Sequence, residues 1–302
     1  MATRADLLPD YGKLEPVRSS DKVSETDWIF GNIRLNARMR CHPRGCVGID
    51  YVGRPWPDSM GNPTDDALVF GAWSMGMFGP FAWPGGLERA VQQSHAWPEA
   101  HAVVPTHDGF IRLRVSYPGG QNDPVHPADY RPLPELDEVT GIASRLTQLP
   151  EALCYFNSSG EMLLSPNSLA EKLDWSAKQR LPSMDIWTNV RMYNLANQAP
   201  GWFLMDTVGM LQLDVDDHEA MFPIESYKPK EVAQFLRNIS IYVLAKGDVV
   251  KHRDTTSGPG DRNWQAFKTI DGFYKPARQT IRWYPLDGSV APAAICPPKE
   301  NT

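Results

Sequence analysis

Four acids and a histidine crowd into Leu213-Asp214-Val215-Asp216-Asp217-His218-Glu219. Carboxylates at this density have three chemical uses: they can ligate a divalent cation, work with His218 in hydrolysis, or face a basic partner. A calcium loop needs alternate oxygen ligands over twelve residues, a glycine at its sixth position and a terminal Glu. Here Met221, Phe222 and Pro223 interrupt that pattern. Magnesium, which takes two or three carboxylates, fits only weakly. Four neighbouring acids repel one another, and burial without a cation would raise their pKa values sharply. The run is therefore expected as an exposed loop, or as the acidic first turn of a short helix. Asp214, Asp216, Asp217 and Glu219 would then meet a basic partner, with no metal bound, while Val215 and Met221 anchor the segment from below.

Other constellations are thinner. Cys41, His42 and Cys46 in "CHPRGC" lack the second ligand pair of a zinc site, since Cys154 and Cys296 stand alone. His95, His101, His107 and His126 share one stretch, but no two have the i, i+4 spacing that places two imidazoles on one metal. A His/Asp hydrolytic site would have to assemble in space. The chain has no Gly-x-Ser-x-Gly elbow, and "SYPGG" and "SGPGD" match no phosphate or dinucleotide loop. No cofactor is expected. Ten tryptophans are many for this length, and Trp favours interface anchors as well as cores. Trp73, Trp83 and Trp97 flank the Gly/Pro-broken "MGMFGPFAWPGG", and Trp83 is the aromatic expected to touch a partner.

The elements that must position these groups read as a mixture without regular strand-helix-strand alternation. Strands are expected at 47–52, 110–117, 185–195 and 201–206, and late in "NWQAFKTI" and "TIRWYPL". The apolar run "ALVFGAW", 67–73, reads as a buried strand, and "ALCYFNSSGEMLLS" as a hairpin. Helices are expected at about 86–97 and 134–148, and in "NSLAEKLDW" with Asn167 or Ser168 as its cap. A fourth runs through "KPKEVAQFLRNISIYVLAKG". There Val232, Phe235, Leu236, Ile239, Tyr242 and Val243 make one stripe, and Gly247 stops the helix. The fold class is α+β, mainly antiparallel sheets with three or four amphipathic helices. Residues 1–26 read as a loose arm, 27–285 as a single domain whose subdivision would fall near 176–184, and 286–302 as an irregular tail.

The chain has 302 residues, enough for a substantial core. Its net charge is -6, and no run of Lys and Arg supplies the stripe that direct nucleic-acid binding needs. The N-terminus has no uninterrupted apolar core after Arg4, so no secretory signal is read. No segment approaches the roughly 20 apolar residues of a membrane span. Four scattered cysteines suit a reduced, cytoplasmic compartment.

Taken in order, "ERAVQQSHAW", the "IRLRVSY" strand, "ALCYFNSSGEMLLSP", "DIWTNVRMY", "GWFLMDTVGM" and "EVAQFLRNISIYVLAKGDVV" resemble the bacterial domain-of-unknown-function family numbered 4261, over roughly residues 67 to 285. Asp206-Thr207-Val208-Gly209-Met210 is the most specific piece. The family usually continues with a Gly and a Pro before its acid, where this chain has Gln212 and a longer acidic run. "KHRDTTSGPGD" replaces a later Gly-Asp-Thr turn. The resemblance implies a cytoplasmic bacterial α+β protein without assigned catalytic residues, similar to proteins found near contact-dependent toxin and secretion genes. The expected role is that of a non-enzymatic cytoplasmic immunity protein, which neutralises a secreted toxin of the type VI kind by direct binding. The alternatives are a metal-dependent hydrolase using His and Asp residues, and an adaptor subunit of a secretion apparatus.

Overall fold

A computed structural model describes residues 8–11, 15–19, 28–29, 31, 33–117, 119, 124, 126–270 and 272–296. The other residues of the predicted arm and tail, and most of residues 118–125, lie outside the described residues. The chain is α+β and forms two compact units, Met1–Ile186 and Trp187–Thr302. The division falls just past the 176–184 stretch.

The first unit is built on an antiparallel sheet in the order β1 (Glu15–Ser19), β2 (Ile33–Arg38), β3 (Cys46–Val52) and β4 (Phe110–Ser116). Part of the predicted arm is thus an edge strand. Successive side chains of a strand point to opposite faces. One face of this sheet gathers Ala37, Val47, Ile49, Ile111, Leu113 and Val115 around Val139, Ile142 and Leu146 of helix α4 (Pro132–Leu146).

Residues 67–73, expected as a strand, are instead helix α1 (Ala67–Ser74). A short apolar run does not reveal its period, and this one has only one β-branched residue, Val69. The Asn62 side chain accepts the N–H groups of Thr64 and Asp65 just ahead of it, and the first turn closes by Phe70 N–H to Asp66 O. Ala72 and Trp73 then bury against Phe78 and Trp56. Trp56 sits edge-on to Trp73, Phe78, Phe110 and Phe156.

Helix α2 (Gly86–Gln92) ends earlier than expected and is followed by α3 (Ala100–Val103). The Asp58 carboxylate satisfies the first N–H groups of α2, at Leu87 (2.9 Å) and Glu88 (2.7 Å). The predicted hairpin is β5 (Tyr155–Asn157) with β6 (Met162–Leu164). Helix α5 (Pro166–Gln179) is capped by Ser165, whose Oγ accepts the Ser168 N–H. The expected caps, Asn167 and Ser168, already lie inside the helix, because Pro166 is pre-set for its first position. A short turn, α6 (Met184–Trp187), closes this part of the chain.

The second unit holds a six-stranded sheet. Its strands are β7 (Asn189–Asn194), β8 (Trp202–Val208), β9 (Asp217–Pro223), β10 (Thr255–Gly258), β11 (Arg262–Thr269) and β12 (Thr280–Pro285). The order is β10-β11-β12-β9-β8-β7, antiparallel except for the parallel pair of β12 with β9. Helix α7 (Pro229–Lys246) packs on the face that carries Trp264 and Trp283, burying Val232, Phe235, Leu236, Ser240 and Val243. Tyr242, placed in the apolar stripe from sequence, is instead exposed. The opposite face collects Leu195, Leu204, Met221, Phe267 and Tyr284.

Between β8 and β9 the chain turns at Gly209, whose φ of 116° lies in the region that favours glycine. The turn is tied from inside. The Thr207 hydroxyl donates to Asp217 (2.9 Å) and accepts the His218 N–H (2.8 Å), and Asp217 also accepts the Met210 N–H (3.1 Å). Gly209→Val should therefore lower stability by about 1–3 kcal/mol. An unchanged thermal midpoint would show that a side chain is tolerated there.

Candidate functional site

The acidic run is neither a loop nor a helix start from Asp217 onward. Asp217, His218 and Glu219 open strand β9, and all three are fully buried. This corrects the expectation that Asp217 and Glu219 face a partner. Asp214 is exposed, with a φ of 59°, and Asp216 is half-buried, where burial pushes its carboxyl up. Trp83 lies in the first unit and is 43% exposed. Val215 is half-buried, and Met221 is buried inside strand β9, not beneath an exposed loop.

Burial of the acids is permitted by three arginines that sequence reasoning did not connect to them. Arg191 on β7 grips Asp206 on β8 through two bonds, Nε to Oδ1 at 3.0 Å and Nη2 to Oδ2 at 2.6 Å. This is the bidentate geometry that makes Arg–carboxylate pairs strong. Arg278 bridges two acids, donating from Nε to Asp217 (3.0 Å) and from Nη2 to Asp206 (2.8 Å). Arg282 on β12 donates to Glu219 at 2.8 Å. Three guanidiniums against Asp206, Asp217 and Glu219 leave the network with no net charge. The apolar strands did carry a signal: Arg191 interrupts "NVRMY" and Arg282 interrupts "TIRWY", and a charge inside a core strand needs a partner.

The same groups fasten the β11–β12 connection onto the sheet. Glu219 accepts the Phe273 N–H at 2.6 Å, and Arg191 donates to the Lys275 carbonyl at 2.8 Å. Arg278 also reaches the carbonyls of Pro276 and Thr207 (2.8 and 2.7 Å). Tyr193 and Tyr274 stack beside them at 4.0 Å. Burial raises the Asp206 carboxyl, but Arg191 and Arg278 outweigh it and hold the group below the usual carboxylate range. Burial pushes Asp217 up, opposed by Arg278 and by the Met210 N–H. On the other face, burial drives His218 down to about 3, so its imidazole is neutral. The ring accepts the Trp283 indole N–H on Nδ1, and its Nε2 has no hydrogen-bond partner. What this arrangement does chemically is hold a connection in place. Every carboxylate in it is already occupied.

The remaining candidates stay apart. The Glu138 carboxylate accepts the N–H groups of Arg40 and Cys41, and burial pushes the Cys41 thiol up to about 12. His42 faces Asp129 at 3.4 Å. His107 bridges backbone, with Nδ1 on the Val104 carbonyl and Nε2 accepting the Trp56 N–H. His95, His101 and His126 are exposed. Among the described residues, no group of three or more His, Cys, Asp and Glu side chains could hold a metal ion, and no helix is long and apolar enough to cross a membrane.

Residues 206–284 match the family described as Domain of unknown function (DUF4261). The matched segment begins at Asp206 and contains all three buried acids, Arg278 and Arg282, so the resemblance read from sequence is supported over this segment. Neither the comparison with curated proteins nor that with solved structures finds a match.

Proposed function

We propose that the protein acts by binding another protein, as an immunity-type inhibitor that blocks a secreted toxin. One observation carries this reading: exposed apolar side chains on a loop that hydrogen bonds already tie down. Met75 (53% exposed) and Trp83 (43% exposed) project from the 75–85 loop, which is tied down at Met77, Phe78 and Pro84. Phe78 is buried in the aromatic cluster, and its carbonyl accepts the Ser158 hydroxyl at 2.7 Å. Arg112 holds the Met77 carbonyl (3.1 Å), and Arg89 holds that of Pro84 (3.0 Å). A loop so pinned loses little freedom on binding, which is what makes an exposed Trp an effective anchor. The net charge of -6 suits a basic toxin surface and would speed encounter with it. Asp214 and Asp216 are the members of the acidic run left to contribute. The buried acids instead support the fold of the second unit.

The test is co-expression with the product of the neighbouring gene, which on this reading arrests growth when expressed alone. Growth should be restored, and the two chains should co-elute as a stoichiometric complex. Trp83→Ala should weaken the complex by about 2 kcal/mol, roughly thirtyfold, with an unchanged thermal midpoint. Absence of both protection and co-elution removes the immunity reading. A complex indifferent to Trp83→Ala keeps the binding role and moves the interface elsewhere.

A further inference from the structure

Among the described side chains of β2 to β4, the polar face of the four-stranded sheet gathers four arginines around one acid. Register and alternation place Arg34, Asn36 and Arg38 of β2 on this face, with Gly48 and Asp50 of β3 and Arg112, Arg114 and Ser116 of β4. On β1, Glu15 and Arg18 stand at the register positions opposite Asn36 and Arg34. Among the described side chains of β2 to β4, Asp50 is the one acid of the face. It is fully buried and shared by three guanidiniums: Arg34 at 3.5 Å, Arg112 at 3.1 Å and Arg114 at 2.7 Å. Arg112 is used up structurally, donating also to the carbonyls of Trp28, Ile29 and Met77. Arg114 donates from Nη2 to Asp50 and from Nη1 to the Met77 sulfur (2.7 Å) while keeping part of its surface open, and Arg38 is exposed. This concentration of positive charge stands on a chain whose net charge is -6.

Gly48 occupies the middle of the face. A glycine inside a strand marks a place where other groups come close to the backbone. A Cβ at Gly48 would lie 3.7 Å from Asn36 Oδ1 and 3.9 Å from Arg34 Nη2, so side chains of the neighbouring strand lean over β3. Asn36 Oδ1 is buried there without a hydrogen-bond partner, and a half turn of that amide would present its two donors instead. Strands β2 and β4 flank β3 at roughly 4.8 Å each, so one arginine from each side can reach a shared group.

We propose that this face binds a phosphate-type oxyanion, held over the Cys46–Gly48 stretch of β3 between Arg38 and Arg114, with Arg34 and the Ser116 hydroxyl, which faces the Cys46 thiol at 3.1 Å, beside it. A single guanidinium satisfies a planar carboxylate bidentately. Donors converging from two strands suit a tetrahedral anion, whose oxygens point in several directions. The site is independent of the Trp83 loop and of the proposed toxin partner.

The test uses the full chain and inorganic phosphate, read by thermal midpoint and by titration calorimetry against sodium chloride of equal ionic strength. Phosphate should raise the midpoint saturably beyond chloride. Arg38→Glu should weaken phosphate binding at least tenfold while leaving the midpoint in phosphate-free buffer unchanged, and Arg38→Lys should retain most of the affinity. Equal responses to phosphate and chloride would overturn the proposal. So would equal phosphate binding by the wild type and Arg38→Glu.

Discussion

Replacing Arg278 by alanine should cost about 3–5 kcal/mol, the range for removing one partner of a buried ion pair. Arg278 is 6% exposed and touches both Asp206 and Asp217, each fully buried. Without it Asp206 retains Arg191, whereas Asp217 retains only the Thr207 hydroxyl and the Met210 N–H. The β11–β12 connection also loses its hold on the sheet. The cost should depend on pH. Burial already pushes Asp217 up, and the variant lacks the cation that opposes this. A carboxyl whose folded pKa exceeds its unfolded value, near 3.9, favours folding at low pH, and that stability is lost as pH rises through the folded pKa. The deficit of Arg278→Ala should therefore be smaller at pH 5 than at pH 8. Arg278→Met combined with Asp217→Asn should cost less than the two changes summed, because the stranded charge is gone. Denaturant midpoints of the wild type, Arg278→Ala, Arg278→Met, Asp217→Asn and the double variant at both pH values decide the matter. A pH-independent deficit under about 1 kcal/mol would mean that water or rearrangement replaces the arginine.

Phe235→Ala should cost roughly 3–5 kcal/mol, through lost burial and the cavity left behind. The ring is 6% exposed and lies 5.3 Å from Trp264 and 5.5 Å from Trp283, which belong to adjacent strands. Two large flanking indoles cannot collapse into the gap without leaving their own contacts, so the cost belongs at the upper end of that range. Tyr242→Ala on the same helix is the control. Its ring is 49% exposed, and its removal should change stability by less than about 0.5 kcal/mol. Equal effects of the two changes would mean that the helix does not pack through Phe235.

The sequence by itself determined those elements whose period is written locally. The alternation in "FIRLRVSY" is β4, the stripe through Val232, Phe235, Leu236 and Val243 is the buried side of α7, and "CYFNSSGEMLL" is a hairpin. Each rests on neighbours within a few residues, where backbone geometry fixes which side chains share a face. The tertiary structure decided the identity of the α1 helix, because an apolar run of seven residues suits either conformation until Trp56 and Phe78 are supplied as packing partners. It also decided the fate of the acids. The repulsion among Asp214, Asp216, Asp217 and Glu219 was sound physics for an isolated segment, and it predicted exposure. Folding brings Arg278 to Asp217 across 61 positions and Arg282 to Glu219 across 63. A carboxylate's cost of burial depends on the charge beside it in space, and sequence distance carries no record of that.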